Sequence, residues 1–202
     1  AVHCVKCNQK DIRLMKAFDV KVSHNPCSNM YLASGIAPIP QMLMAGLSVG
    51  IATDGPASNN NQNMVHVLKY TALLHKVAHE DAAVITAEKV LEMATIDGAR
   101  AIGMEKEIGS LEPGKKADVA IMAFDNPFST PVHNPISSLV YSALGNEPET
   151  VIIDGEVVMR DRMIKTVDEL HVREQAQRAA EALAKRSGVA GLAQRPWRSI
   201  GF

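Results

Sequence analysis

Residues 48–55 read Ser-Val-Gly-Ile-Ala-Thr-Asp-Gly, a short β-forming run that ends in a carboxylate and a glycine. Upstream, residues 1–5 and 20–23 form two more short runs of strand-forming residues. The segments between these runs, 8–18 and 39–45, carry apolar residues at helical spacing. Strands that alternate with helices indicate β/α units and a parallel sheet. The predicted fold class is therefore α/β.

The pattern changes after residue 108. Before it, two further helices are predicted at 63–77 and 86–95. After it, the sequence favours strands and turns, and Asp154-Gly155 between β-branched runs predicts a hairpin. A charged helix is predicted at 167–185, followed by a tail packed on a neighbouring surface. We therefore divide the chain into an α/β part at 1–108, a strand-rich part at 109–165 and a helix with its tail at 166–202.

Composition sets the broad class of the protein. The chain has 202 residues, a formal net charge of −1 and 47% hydrophobic residues, which is typical of a globular protein. No apolar run is long enough to span a bilayer, and the balanced charge gives no reason to expect nucleic acid as a partner. No signal-peptide pattern is present, and we expect the three cysteines to be reduced in the cytoplasm. A chain that opens without Met in a strand-like run also suggests a truncated or processed piece.

Polar residues follow the predicted strands at the point where each strand ends. His3 ends or nearly ends the first, His24 and Asn25 end the second, and Asp54 ends the third. In a β/α barrel such residues share one mouth, because the active site forms at the carboxyl ends of the strands. A carboxylate there can bind a metal or accept a proton, and an imidazole can polarise water.

Simpler interpretations stay open at this point. An Asp-Gly pair is more often a turn, and a single histidine at a strand end is usually structural. Cys4-x-x-Cys7 resembles half of a zinc ribbon, but no second pair exists. His75-x-x-x-His79 lacks the glutamate that follows the first histidine in metalloproteases, so an exposed helical face is the better interpretation.

Several motifs together resemble one branch of the amidohydrolase superfamily. They include Ser-His-Asn-Pro-Cys-Ser-Asn-Met at 23–30, Thr-Asp-Gly-Pro-Ala-Ser-Asn-Asn-Asn at 53–61 and Met-Ala-Thr-Ile-Asp-Gly-Ala-Arg at 93–100. Gly-Ser-Leu-Glu-Pro-Gly-Lys-Lys-Ala-Asp at 109–118 continues the resemblance. The branch holds methylthioadenosine/S-adenosylhomocysteine deaminases, guanine and 8-oxoguanine deaminases, and triazine hydrolases.

The resemblance implies the C-terminal part of a (β/α)8 TIM-type barrel, about strands six to eight, with strands of a small β-sandwich and a C-terminal helix. It implies that Asp54 is a catalytic residue and metal ligand, and that His3 contacts the attacking water or the substrate. His24 and Asn25, with Ser58 and Asn59 from the loop after Asp54, are the further substrate-binding candidates. The implied cofactor is a divalent metal, Zn with Fe as the alternative.

The family's other metal ligands have no counterpart in this chain. No two of its histidines form a His-x-His pair, so it would supply one ligand of four. We therefore hold two hypotheses. In the first, the parent enzyme deaminates a purine-like or other aminated heterocycle with water, with triazine-type C–N or C–Cl hydrolysis as the alternative. In the second, the chain is a non-catalytic fragment. A homo-oligomer is left open.

Overall fold

Three segments run parallel in the first part of the chain. The computed structural model describes residues 1–189 and Gly191. Strand β1 (Val22–His24) pairs in parallel with β2 (Val49–Ile51), and Val2 adds a single parallel bridge to Ser23. All three residues of β2 are buried, as expected for a parallel strand that is covered on both faces. The α/β class is therefore confirmed, although the first predicted strand is reduced to one bridge.

Helices flank and follow these segments: α1 (Gln9–Ala17), α2 (Pro26–Tyr31), α3 (Ile39–Met44), α4 (Pro56–Asn59), α5 (Met64–His79), α6 (Ala87–Ala94) and α7 (Ile96–Ala101). The start of α1 is set by a capping box, in which the Asn8 side chain accepts from Lys10 and Asp11 backbone N–H groups. The longer helices lie within two residues of their predicted bounds. The short helices α2 and α4 were not predicted, because each is too short to show helical periodicity.

The core lies between the parallel strands and these helices. Its fully buried members are aliphatic side chains and methionines, including Val22, Ile39, Met42, Val49 and Val90. Two glycines allow β2 and α7 to pack closely together. A Cβ added at Gly50 of β2 would lie 2.9 Å from the Gly98 Cα of α7. The strand and the helix can approach this closely because neither glycine carries a side chain.

A second sheet follows, with β3 (Val119–Met122), β4 (Pro148–Ile153), β5 (Glu156–Arg160) and β6 (Met163–Ile164) antiparallel in that order. The predicted Asp154-Gly155 hairpin joins β4 to β5 and is confirmed. Helix α8 (Pro135–Tyr141) lies between β3 and β4 in sequence and packs on α5 and α6. Helix α9 (Glu169–Ser187) is exposed along nearly its whole length. The predicted packing of the tail falls mostly on 190 and 192–202, outside the described residues.

Candidate active site

Asp54 stands three residues beyond the end of β2, in a left-handed backbone conformation with φ of 64°. His3, which follows the Val2 bridge, has the same φ of 64°. Such conformations are uncommon for residues other than glycine, and they cluster at functional sites. The Gly55 backbone N–H donates to Asp54 Oδ1 over 2.7 Å, which helps to orient the carboxylate.

His3 and Asp54 meet across the carboxyl ends of the parallel segments. His3 Nε2 lies 3.8 Å from Asp54 Oδ2, and the two side chains are 42% and 29% exposed. His3 Nδ1 lies 2.9 Å from Asn29 Oδ1. With the Asn29 amide oriented this way, its oxygen accepts from Nδ1, and Nε2 is the ring nitrogen that faces Asp54.

Asp54 is held in its charged form by its neighbours. Ser28 Oγ donates to Asp54 Oδ2 over 2.7 Å. This hydroxyl is the main reason that the pKa of Asp54 is lowered, followed by the Gly55 N–H and the Ser58 hydroxyl. Hydrogen bonds that favour the charged form act in this direction. Asp54 is therefore ready to hold a cation or to accept a proton.

These side chains line one cavity of about 570 Å³, whose wall includes His3, Cys4, Cys7, Ser28, Asn29 and Asp54. Asn29 Nδ2 is buried and has no hydrogen-bond partner among the residues that the structure describes. A buried donor without a partner costs free energy, so an acceptor on a bound molecule would satisfy it. Ser28 and Asn29 lie in a sequence motif that does not by itself indicate a role for either, since only the fold shows that α2 brings Ser28 to Asp54 and Asn29 to His3.

His24 and Asn25, the site residues predicted at the end of the second strand, do not face this cavity. The His24 side chain is fully buried, and its Nε2 lies 3.2 Å from Nε2 of His75 on α5. Asn25 is also buried, and its Oδ1 accepts from Ser23 Oγ over 3.1 Å. Neither residue is among those that line the cavity. Their substrate-binding role stays a prediction.

The loop after Asp54 is organised by its own side chains. Ser58 Oγ donates to the Gly55 carbonyl over 3.1 Å and also lowers the pKa of Asp54. Asn59 Nδ2 donates to the carbonyls of Thr53 and Asn61 over 2.9 and 2.6 Å. Asn59 thus holds the loop, and Ser58 lies close to the carboxylate. Their contact with a substrate stays a prediction.

The prediction that His75 and His79 form an exposed helical face is wrong for His75. His75 is fully buried against His24, while His79 is half-buried and contacts Gln41 over 3.2 Å. The sequence suggested exposure because histidine is polar, but α5 turns this position into the core. Burial lowers the pKa of His75 to about 4 and that of His24 to about 3, and each imidazole is therefore neutral at pH 7.

The described residues offer only part of a metal site. Among residues 1–189 and Gly191, no group of three His, Cys, Asp or Glu side chains could hold a metal ion. A catalytic zinc site normally takes about three protein ligands and one open position. Asp54 is of a ligand type and His3 lies beside it, but their roles towards metal, water and substrate stay predictions. None of the helices in this part of the chain is both long and apolar enough to cross a membrane.

Comparisons with known proteins show which proteins the chain resembles. The chain is 52% identical over 91% of its length to a 5-methylthioadenosine/S-adenosylhomocysteine deaminase of Desulforudis audaxviator. It is 44% identical over its full length to an S-triazine hydrolase of Gordonia rubripertincta. A zinc-bound adenosine deaminase from Xanthomonas campestris superimposes with a TM-score of 0.89 and 32% identity, over 92% of this chain and 42% of that one.

The chain spans about 43% of the length of each of these two curated relatives. The profile described as "Amidohydrolase family" matches residues 1–158, which is more than half of the chain. The chain belongs to the amidohydrolase family.

Proposed function

We propose that this chain supplies part of the active site of a metal-dependent hydrolase that removes an amino group from an aminated heterocycle. The observation that carries the proposal is the approach of His3 Nε2 to Asp54 Oδ2, 3.8 Å apart at the wall of one cavity. The named relatives support it, since one acts as a 5-methylthioadenosine/S-adenosylhomocysteine deaminase. A purine nucleoside of this kind, with water, is the proposed substrate pair.

We infer the position of this segment within a whole enzyme. Val2, β1 and β2 would be the sixth, seventh and eighth strands of a (β/α)8 barrel, within the part at 1–108. The antiparallel strands at 109–165 would belong to a small β-sandwich, and 166–202 would form the helix and tail. Three parallel segments in consecutive order support this placement.

The proposed metal is Zn, with Fe as the alternative, and Asp54 would be its ligand from this chain. The zinc bound to the Xanthomonas campestris adenosine deaminase supports the choice. The remaining ligands would come from the rest of the protein, because the described residues provide no complete set. When bound, such an ion makes water a stronger nucleophile near neutral pH.

The side chains of this segment would handle protons and orientation. Asp54 would accept, at Oδ2, the proton that the attacking water loses, and pass it towards the leaving ammonia. His3 would contact the reacting group through Nε2, since Asn29 holds its Nδ1. Ser28 would keep the Asp54 carboxylate charged and oriented. His24, Asn25, Ser58 and Asn59 would shape the surrounding wall.

Triazine hydrolysis is a second candidate. It would break a C–N or C–Cl bond of a triazine ring with the same carboxylate and histidine. The S-triazine hydrolase of Gordonia rubripertincta, which matches over the full chain at 44% identity, favours it. Chloride release would identify C–Cl cleavage. Cleavage of a C–N bond releases ammonia or an amine in both candidates, so there the substrate that is consumed, a purine or a triazine, tells them apart.

The test replaces Asp54 in the full-length protein. Asparagine has nearly the shape of aspartate and tolerates the left-handed backbone at this position, but it cannot accept the proton. We therefore expect Asp54→Asn to lower activity about 10²–10⁴-fold. Ammonia and chloride release would be measured with S-adenosylhomocysteine, methylthioadenosine, 5′-deoxyadenosine, guanine and a chlorotriazine. Asp161→Asn is the matched control, since Asp161 is an exposed aspartate with φ of 52°. Full activity in Asp54→Asn would remove Asp54 from the mechanism.

A further inference from the structure

Cys4 and Cys7 stand at the two ends of one tight turn beside the candidate active site. The Cys7 backbone N–H donates to the Cys4 carbonyl over 3.2 Å, with Val5 and Lys6 as the central residues of the turn. A β-turn brings its first and fourth Cα atoms within about 7 Å. Disulfides commonly join Cα atoms about 4.4–6.8 Å apart, so this backbone can accept one.

The two thiols are also close to each other and within reach of solvent. Both are free and partly exposed, and the Cys7 sulfur is near enough to Cys4 to contribute to the raised pKa of the Cys4 thiol. Both line the cavity that contains His3 and Asp54. The third cysteine, Cys27, is buried on α2. The pair therefore differs from Cys27 in both exposure and proximity.

The turn is held in place by a neighbouring loop. Gly35 has φ of 118°, and a Cβ added there would lie 2.9 Å from Val5 Cγ1. The loop at Gly35 thus packs directly against the turn, whose four residues all line the cavity.

We propose that Cys4 and Cys7 form a reversible disulfide at the wall of this cavity, by exchange with a small-molecule disulfide such as oxidised glutathione. One protein thiolate attacks the glutathione disulfide, forms a mixed disulfide and releases one reduced glutathione. The second protein thiol attacks the protein sulfur of that bond and releases the other glutathione. The two hydrogens lost by the protein thiols end on the two glutathione molecules, so the exchange balances.

The surroundings of Cys4 affect its part in this exchange. Burial is the main reason that the pKa of Cys4 is raised to about 11, with the neighbouring Cys7 sulfur adding to it. Since the thiolate is the nucleophile, attack by Cys4 is slow near neutral pH. Either order of attack yields the same bond between Cys4 and Cys7.

The test reads the covalent bond itself, independently of any hydrolytic activity. Full-length protein would be equilibrated with graded ratios of oxidised to reduced glutathione, alkylated and digested with trypsin. Trypsin cleaves after Lys6, between the two cysteines, so oxidation should join the peptide that ends at Lys6 to the peptide Cys7-Asn8-Gln9-Lys10. Treatment with dithiothreitol should separate the two peptides.

Three variants sharpen the outcome. Cys4→Ser and Cys7→Ser should each lose the linked pair and carry glutathione on the cysteine of the pair that remains, whereas Cys27→Ser should form the linked pair as the parent does. The proposal is overturned if the linked pair is absent at every glutathione ratio. It is equally overturned if Cys27→Ser no longer forms the linked pair, since the disulfide would then involve Cys27.

Discussion

Single side chains around Asp54 set the chemistry of the site. Its Oδ2 accepts a hydrogen bond from Ser28, its Oδ1 accepts one from the Gly55 N–H, and Ser58 lies close enough to lower its pKa as well. A carboxylate with several donors loses its proton easily, because each donor favours the charged form. The same oxygen that faces His3 is thus kept ionised by a residue of α2.

Replacing Ser28 should change the pH at which Asp54 titrates. Ser28→Ala removes the largest cause of the lowered pKa, so the pKa of Asp54 should rise. The charged carboxylate is then lost at a higher pH as the solution is acidified. We expect NMR titration of the metal-free full-length protein to show the Asp54 carboxyl gaining its proton at a higher pH in Ser28→Ala than in the parent. Ser34→Ala, on the same cavity wall, is the control, and an unmoved titration of Asp54 in Ser28→Ala would contradict this role.

At the scale of elements, the contact between β2 and α7 positions the strand end that carries Asp54. Gly50 of β2 lies against Gly98 of α7, with room for no side chain between their backbones. The strand end that carries Asp54 depends on this packing, since β2 is only three residues long. A larger residue would have to displace the backbone of α7, because no flexible side chain is there to move.

Gly50→Ala should destabilise the fold. Overpacking of a close contact costs about 1–3 kcal/mol in the free energy of unfolding, which urea denaturation can measure. The control is Gly55→Ala, because Gly55 has φ of −72° and a Cβ added there would meet nothing within 4 Å. Equal stability of the two variants would show that β2 and α7 can move apart at little cost.

The buried histidine pair couples β1 to α5 and makes stability depend on pH. His24 and His75 have lowered pKa values of about 3 and about 4 in the folded protein, against an ordinary value of 6.5. Between about pH 6.5 and 4, the unfolded chain therefore binds protons that the folded chain does not. The free energy of unfolding should fall as the pH falls through this window, by up to about 1.4 kcal/mol per pH unit for each histidine.

A histidine variant separates this effect from general acid sensitivity. His75→Gln should reduce the slope of the free energy of unfolding against pH between pH 6.5 and 4, as measured by urea midpoints. The comparison concerns this slope, so a change of stability at pH 7.5 does not affect it. His171→Gln on the exposed α9 should leave the slope unchanged. An equal slope in the parent and in His75→Gln would mean that other groups carry the pH dependence.

The whole molecule presents a partial site and much apolar surface. Large side chains such as Phe18 and Met44 are 77% and 79% exposed. Apolar surface of this kind favours association when nothing covers it. The metal site is also partial. Within the described residues, Asp54 does not form a group with two other His, Cys, Asp or Glu side chains that could hold a metal ion.

The 202-residue chain by itself should therefore bind zinc weakly. We expect substoichiometric zinc after dialysis, measured by atomic absorption, because one carboxylate cannot replace three ligands. The full-length protein should retain about one ion, as expected for one catalytic site, and its Asp54→Asn variant should retain less. One equivalent of zinc held by the 202-residue chain would contradict the proposal that the other ligands lie elsewhere.

The sequence alone determined the α/β class, the bounds of the longer helices, the hairpin at Asp154-Gly155 and the family resemblance. These features follow from periodicity, turn chemistry and motifs that lie within short windows of the chain. Only the tertiary structure decided which side chains meet. Ser28 reaches Asp54, and Asn29 reaches His3, each across 26 positions in the sequence. Such contacts depend on how strands align and how helices turn, which also explains why His24 faces His75 in the core rather than Asp54.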